Sequence, residues 1–71
     1  MLGAVVEVTD QYGGYIRAQK QSLTKIHVEI YDARNDDGPG SMVLDLKEPK
    51  HYEWLKSIFQ PMHFEILTKE A

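Results

Sequence analysis

Lys25-Ile26-His27-Val28-Glu29-Ile30-Tyr31-Asp32 alternates apolar and polar residues. Side chains two apart on a strand share a face, so Ile26, Val28 and Ile30 would line a core while His27, Glu29 and Tyr31 look toward water. This is the pattern of an antiparallel strand with one face buried and one solvated.

The same period extends outward in both directions. Downstream, Asn35-Asp36-Asp37-Gly38-Pro39-Gly40 has the composition of a loop. Ser41 to Leu46 then reads as a partner strand, with Met42, Leu44 and Leu46 inward and Val43 and Asp45 outward. Upstream, residues 2 to 9 place Leu2, Ala4, Val6 and Val8 on one face of a first strand. Asp10-Gln11-Tyr12-Gly13-Gly14 follows as a turn, because glycine supplies the positive φ of tight hairpins. Tyr15 to Lys20 is a second, weaker strand with Ile16 and Ala18 inward, and the polar stretch from Gln19 to Thr24 connects it onward.

Beyond the fourth strand the period changes. Tyr52, Leu55, Ile58 and Phe59 recur at three- and four-residue spacing and predict a helix over Glu48 to Gln60. Pro49 suits the first helical position, Glu48 favours the positive end of the helix dipole, and Pro61 stops the element. Met62 to Thr68 alternates again and predicts a last strand, with Phe64 and Ile66 inward and His63, Glu65 and Leu67 on the other side. Lys69-Glu70-Ala71 is expected to fray. The order is ββββαβ. Residues 1–71 form one α+β domain, with the helix packed on a small antiparallel sheet that could partly close into a barrel.

At 71 residues, a domain buries only about 60% of the surface its unfolded chain exposes. The chain has no cysteine, which excludes disulfides and thiolate metal sites, so self-association is the expected route to added stability. The net charge of −3, with no basic stripe, disfavours nucleic acid as a partner. The N-terminus lacks the charged and long apolar regions of a signal peptide, and no apolar run reaches the roughly 20 residues of a membrane span. A cytoplasmic protein without a membrane partner is expected.

No catalytic signature survives inspection. Ser22, Ser41 and Ser57 lie outside any Gly-x-Ser-x-Gly elbow. Tyr12-Gly13-Gly14-Tyr15 lacks the spacing of a phosphate loop. An EF-hand counted from Asp32 would need glycine where Asp37 stands and glutamate where Val43 stands. His27-Val28-Glu29 and His63-Phe64-Glu65 each set an imidazole beside a carboxylate on a strand. If those strands were neighbours, His27, Glu29, His63 and Glu65 could converge on a divalent ion. The His-x-Glu of zinc deaminases also needs cysteines that this chain lacks.

Exposed aromatics rank higher. Tyr12 and Tyr15 flank the first turn, Tyr31 sits on the polar face of the third strand, and Trp54 falls at the margin of the helix's apolar face. Such residues are enriched at interfaces. The expectation is a non-enzymatic binding or accessory module without a cofactor. It would self-associate, or take a protein partner, through a strand edge or the Trp54 side of the helix. The first and last strands carry little outward charge (Glu7 on one, His63 and Glu65 on the other), which favours edge pairing. A metal- or ligand-binding protein built on the two triplets is the second expectation. A nucleic-acid binder using Tyr12, Tyr15 and Arg17 is the third.

Overall fold

A computed structural model describes residues 2–35 and 37–69. Asp36, in the acidic loop, and Glu70 and Ala71, expected to fray, lie outside the described residues, as does Met1. The chain forms a four-stranded antiparallel meander, β1 (Val5–Thr9), β2 (Tyr15–Lys20), β3 (Lys25–Asp32) and β4 (Asp37–Asp45), in the spatial order β1-β2-β3-β4. Two helices complete it, α1 (Pro49–Ile58) and α2 (Pro61–Thr68). The α+β class and the helix-on-sheet packing are those expected. The sheet remains open, with β1 and β4 at its edges, so the barrel alternative does not hold.

The corners of the meander share one local device. Asp10 Oδ1 accepts from the N–H of Tyr12 at 2.8 Å, and Asp32 Oδ1 from that of Arg34 at 3.0 Å. Ser22 Oγ accepts from Thr24 at 3.4 Å, and Asp45 Oδ1 from Lys47 at 2.9 Å. A short side chain that takes the N–H two residues ahead mimics a backbone turn, which is why these residue types end strands. Gly13 supplies a φ of +89° in the first turn. A Cβ on Gly14 would stand 2.8 Å from the Tyr31 carbonyl oxygen, so only glycine fits there.

The register aligns Val6, Ala18, Val28 and Met42 in one row, Lys20, Ile26 and Leu44 in a second, and Val8, Ile16, Ile30 and Gly40 in a third. These rows form the core face. Val6, Ala18, Ile26, Val28 and Leu44 are buried there with Leu55, Phe59 and Leu67 from the helices, and Trp54, Ile58 and Phe64 pack around them. α1 lies over β4 and α2 over β1 and β2, the two helices meeting where Tyr52 and Phe64 pack edge to face.

Three expectations require correction, and the first correction is that the opening strand starts at Val5, which leaves Leu2 outside it and exposed. β4 begins at Asp37, so Pro39 and Gly40 belong to a strand rather than to a loop. β4 is an edge strand, where a proline lacking N–H is tolerated. The third correction concerns Met62 to Thr68, which is helical, giving ββββαα instead of ββββαβ. Pro61 does not merely stop α1. Gln60 takes an extended conformation and Pro61 starts α2 at its first position, where the ring presets φ. Helical geometry buries Leu67 completely and leaves Ile66 40% exposed, the reverse of the strand reading.

Lys20 continues the core face of β2 and is fully buried. Its ammonium donates to the Lys69 carbonyl oxygen at the C-terminal end of α2, where unpaired helix carbonyls and the helix dipole favour a cation. The polar connector expected from residue 19 therefore includes a core position.

The helical reading of residues 61–68 predicts that Leu67→Ala lowers unfolding free energy by about 2–5 kcal/mol, while Ile66→Ala costs less than about 1 kcal/mol. Urea denaturation measures both, and a larger loss at Ile66 would contradict the helix.

Candidate functional site

The outer face of the sheet carries most of the residues the sequence marks. The register aligns Glu7, Arg17, Glu29 and Ser41 in one row, with Tyr15 beside Tyr31 in the next. Arg17 Nε meets Glu7 Oε2 at 2.8 Å, and its Nη1 lies 3.6 Å from Glu29 Oε2. Tyr15 Oη donates to the same Glu29 oxygen at 2.5 Å. The Arg17 guanidinium sits 4.8 Å from the Tyr15 ring centroid, and the Tyr15 and Tyr31 rings are 5.6 Å apart. Tyr12 stands apart at the hairpin tip under Arg34, and Trp54 is half-buried against the core on α1.

Of the two His-x-Glu triplets, the first shares the outer face of β3 as expected, and Glu29 is engaged by Tyr15 and Arg17. The second lies on α2, where residues two apart point about 200° from each other, so His63 and Glu65 do not stand side by side. His63 Nδ1 is buried without a hydrogen-bond partner. Among the described residues, no group of three or more His, Cys, Asp or Glu is placed to hold a metal ion. No described helix is long and apolar enough to cross a membrane.

At the hairpin end of the sheet, a cleft of about 250 Å³ has Val8, Ile16 and Ile30 among its lining residues, with Asp10, Asp32 and Arg34. Ligand sites run from about 300 to 1,000 Å³. Asp10 and Asp32 are both committed to turn hydrogen bonds, so the cleft offers a small apolar hollow rather than a set of free catalytic groups.

The two sheet edges differ in a way the sequence does not announce. In an antiparallel ladder, alternate residues aim both peptide groups at the same neighbour. Asp10 N–H donates to Gly14 O, so Val6 and Val8 face β2 and the peptide groups of Val5, Glu7 and Thr9 face outward. Leu46 N–H donates to Thr24 O, so Leu44 and Met42 face β3 and those of Ser41, Val43 and Asp45 face outward, while Pro39 lies in the register shift between Gly40 and Asp37. Pro39 has no N–H to offer. The Asp45 N–H donates to His51 Nδ1 of α1 at 3.0 Å, and its carbonyl accepts from Glu48 N–H at 2.9 Å. The β4 edge is thus closed at Asp45 and keeps two outward positions, Ser41 and Val43, while the β1 edge presents three in a row. Their side chains are exposed, and Val5 is 52% exposed.

No protein-family model, curated protein or solved structure matches the chain.

The Tyr15 phenol is held above its ordinary pKa, chiefly by the hydrogen bond to Glu29 and then by burial and the Glu29 charge, with Arg17 opposing. A raised folded-state value means that this interaction stabilises the fold fully below the unfolded pKa of about 10 and is lost as pH rises through the folded value. Tyrosine absorbance titration should show a late-ionising phenol that disappears in Tyr15→Phe and shifts down in Glu29→Gln. An unchanged titration in both variants would contradict the contact. Asp45 is held below the ordinary carboxylate range, first by Lys25 and then by the Lys47 N–H.

Proposed function

We propose that this chain is a non-enzymatic cytoplasmic binding or accessory module that associates by strand addition at β1. The observation that carries the reading is the row of outward peptide groups at Val5, Glu7 and Thr9, which have no partner among the described residues, set against a shorter free stretch on β4, where His51 takes the Asp45 amide. An added strand gains main-chain hydrogen bonds, and its alternate side chains meet the two faces of the sheet. On the outer face, Val5 lies beside the row of Glu7, Arg17 and Glu29. On the core face, the strand would run beside Val8 at the mouth of the apolar cleft. The commitment of Glu29, Asp10 and Asp32 to structural contacts supports binding over catalysis.

A fluorescent peptide copying residues 3–11 serves as a probe strand. Glu7→Pro removes the outward N–H at the centre of the edge without breaking a β1–β2 hydrogen bond. It should weaken peptide binding at least about tenfold, measured by anisotropy, while Glu7→Gln and Val43→Pro stay within about twofold of the parent. Equal binding by Glu7→Pro, or no binding by the parent chain, would rule the edge out.

A further inference from the structure

We infer that the partner at β1 is a second copy of this chain, paired antiparallel about a two-fold axis perpendicular to the sheet. The two sheets then continue as one, with α2 lying beside its counterpart. The inference rests on β1 being the working edge, and an independent feature of α2 carries it further.

Met62 and Ile66 stand four residues apart on α2, 66% and 40% exposed. At about 100° per residue, both lie roughly 160° from Phe64 around the helix. Phe64 packs on Tyr52 of α1, with ring centroids 5.0 Å apart, so the Met62–Ile66 stripe is on the flank away from α1. α1 covers β4 while α2 covers β1 and β2, so that flank overhangs the β1 edge.

The spacing fits a second copy. A helix seated over β1 and β2 has its axis about half a strand spacing inside β1. Pairing β1 to β1 at about 4.8 Å therefore places the two α2 axes about two strand spacings apart, near 9.6 Å. Packed helices lie 8–10 Å apart. The rotation keeps both α2 helices on the same face, so each apolar stripe meets the other at contact distance. A lone extended peptide would satisfy the edge but leave Met62 and Ile66 in water. A second copy supplies the strand and the matching stripe together, as an isologous interface requires. Registers that oppose Glu7 to its own copy bring like charges together, so a pairing of Glu7 with Val5 or Thr9 is favoured.

Sedimentation velocity and light scattering over a wide concentration range test the inference on the full chain, with circular dichroism to confirm folding. The parent chain should dimerise. Glu7→Pro and Ile66→Lys should each raise the dimer dissociation constant at least about tenfold, and Val43→Pro should leave it unchanged. Thr9→Pro and Met62→Lys replace either variant if it fails to fold. A chain that stays monomeric at the highest concentration overturns the dimer, and the peptide titration then judges strand addition separately. A dimer that survives the edge proline, survives the helix lysine, or is dissolved by Val43→Pro overturns it as well.

Discussion

The register of the meander is the constraint on which the rest of the molecule depends. Val6, Ala18 and Val28 must meet across three strands for one face to be apolar enough to hold two short helices. A slip of one residue in any pair would turn that strand's core set to water and bring charged residues such as Arg17 and Glu29 underneath. The corners guard against the slip. Asp10, Ser22 and Asp32 each fix the point at which a strand turns, through a hydrogen bond only two residues long. Such contacts are local and do not depend on the helices.

Once register is fixed, the parity of each strand decides which peptide groups are used. Even-numbered residues of β1, and of β4 from Gly40 onward, face inward along the sheet, and odd-numbered residues face out. The edges differ in the segment each one leads into. β4 runs directly into α1, which returns His51 to the Asp45 amide. β1 runs into β2, which lies on its inner side and leaves the outer side open. The asymmetry of the two edges is thus a consequence of chain direction, since the helices come after the strand they protect.

The four strands were legible because alternation and turn chemistry are local signals. The start of β4 was not, since Pro39 and Gly40 read as loop unless the strand is known to be an edge. The last element misled for a definite reason. Met62-His63-Phe64-Glu65-Ile66-Leu67 alternates like a strand, and eight residues are too few for a helical period to compete. Burial of Leu67 under the sheet decided it. Tyr12 was legible as exposed, whereas Tyr15 and Tyr31 are half-buried against each other, a contact that depends on strand pairing. The first strand was expected as one pairing edge and is an edge, whereas the last strand expected as the other is a helix. His51 carried no signal because its role depends on the Asp45 amide in space.

Lys20 and Lys69 are 49 residues apart in sequence, yet the ammonium of one holds the carbonyl of the other. The hairpins of the meander join sequence neighbours and can zip quickly, whereas this tie must wait for the far end of the chain to return. Until it does, the first hairpin has no cover over Val6 and Ala18. A contact of long sequence separation therefore closes over the apolar face of the first hairpin, and a partly folded chain that lacks it leaves that face open to association.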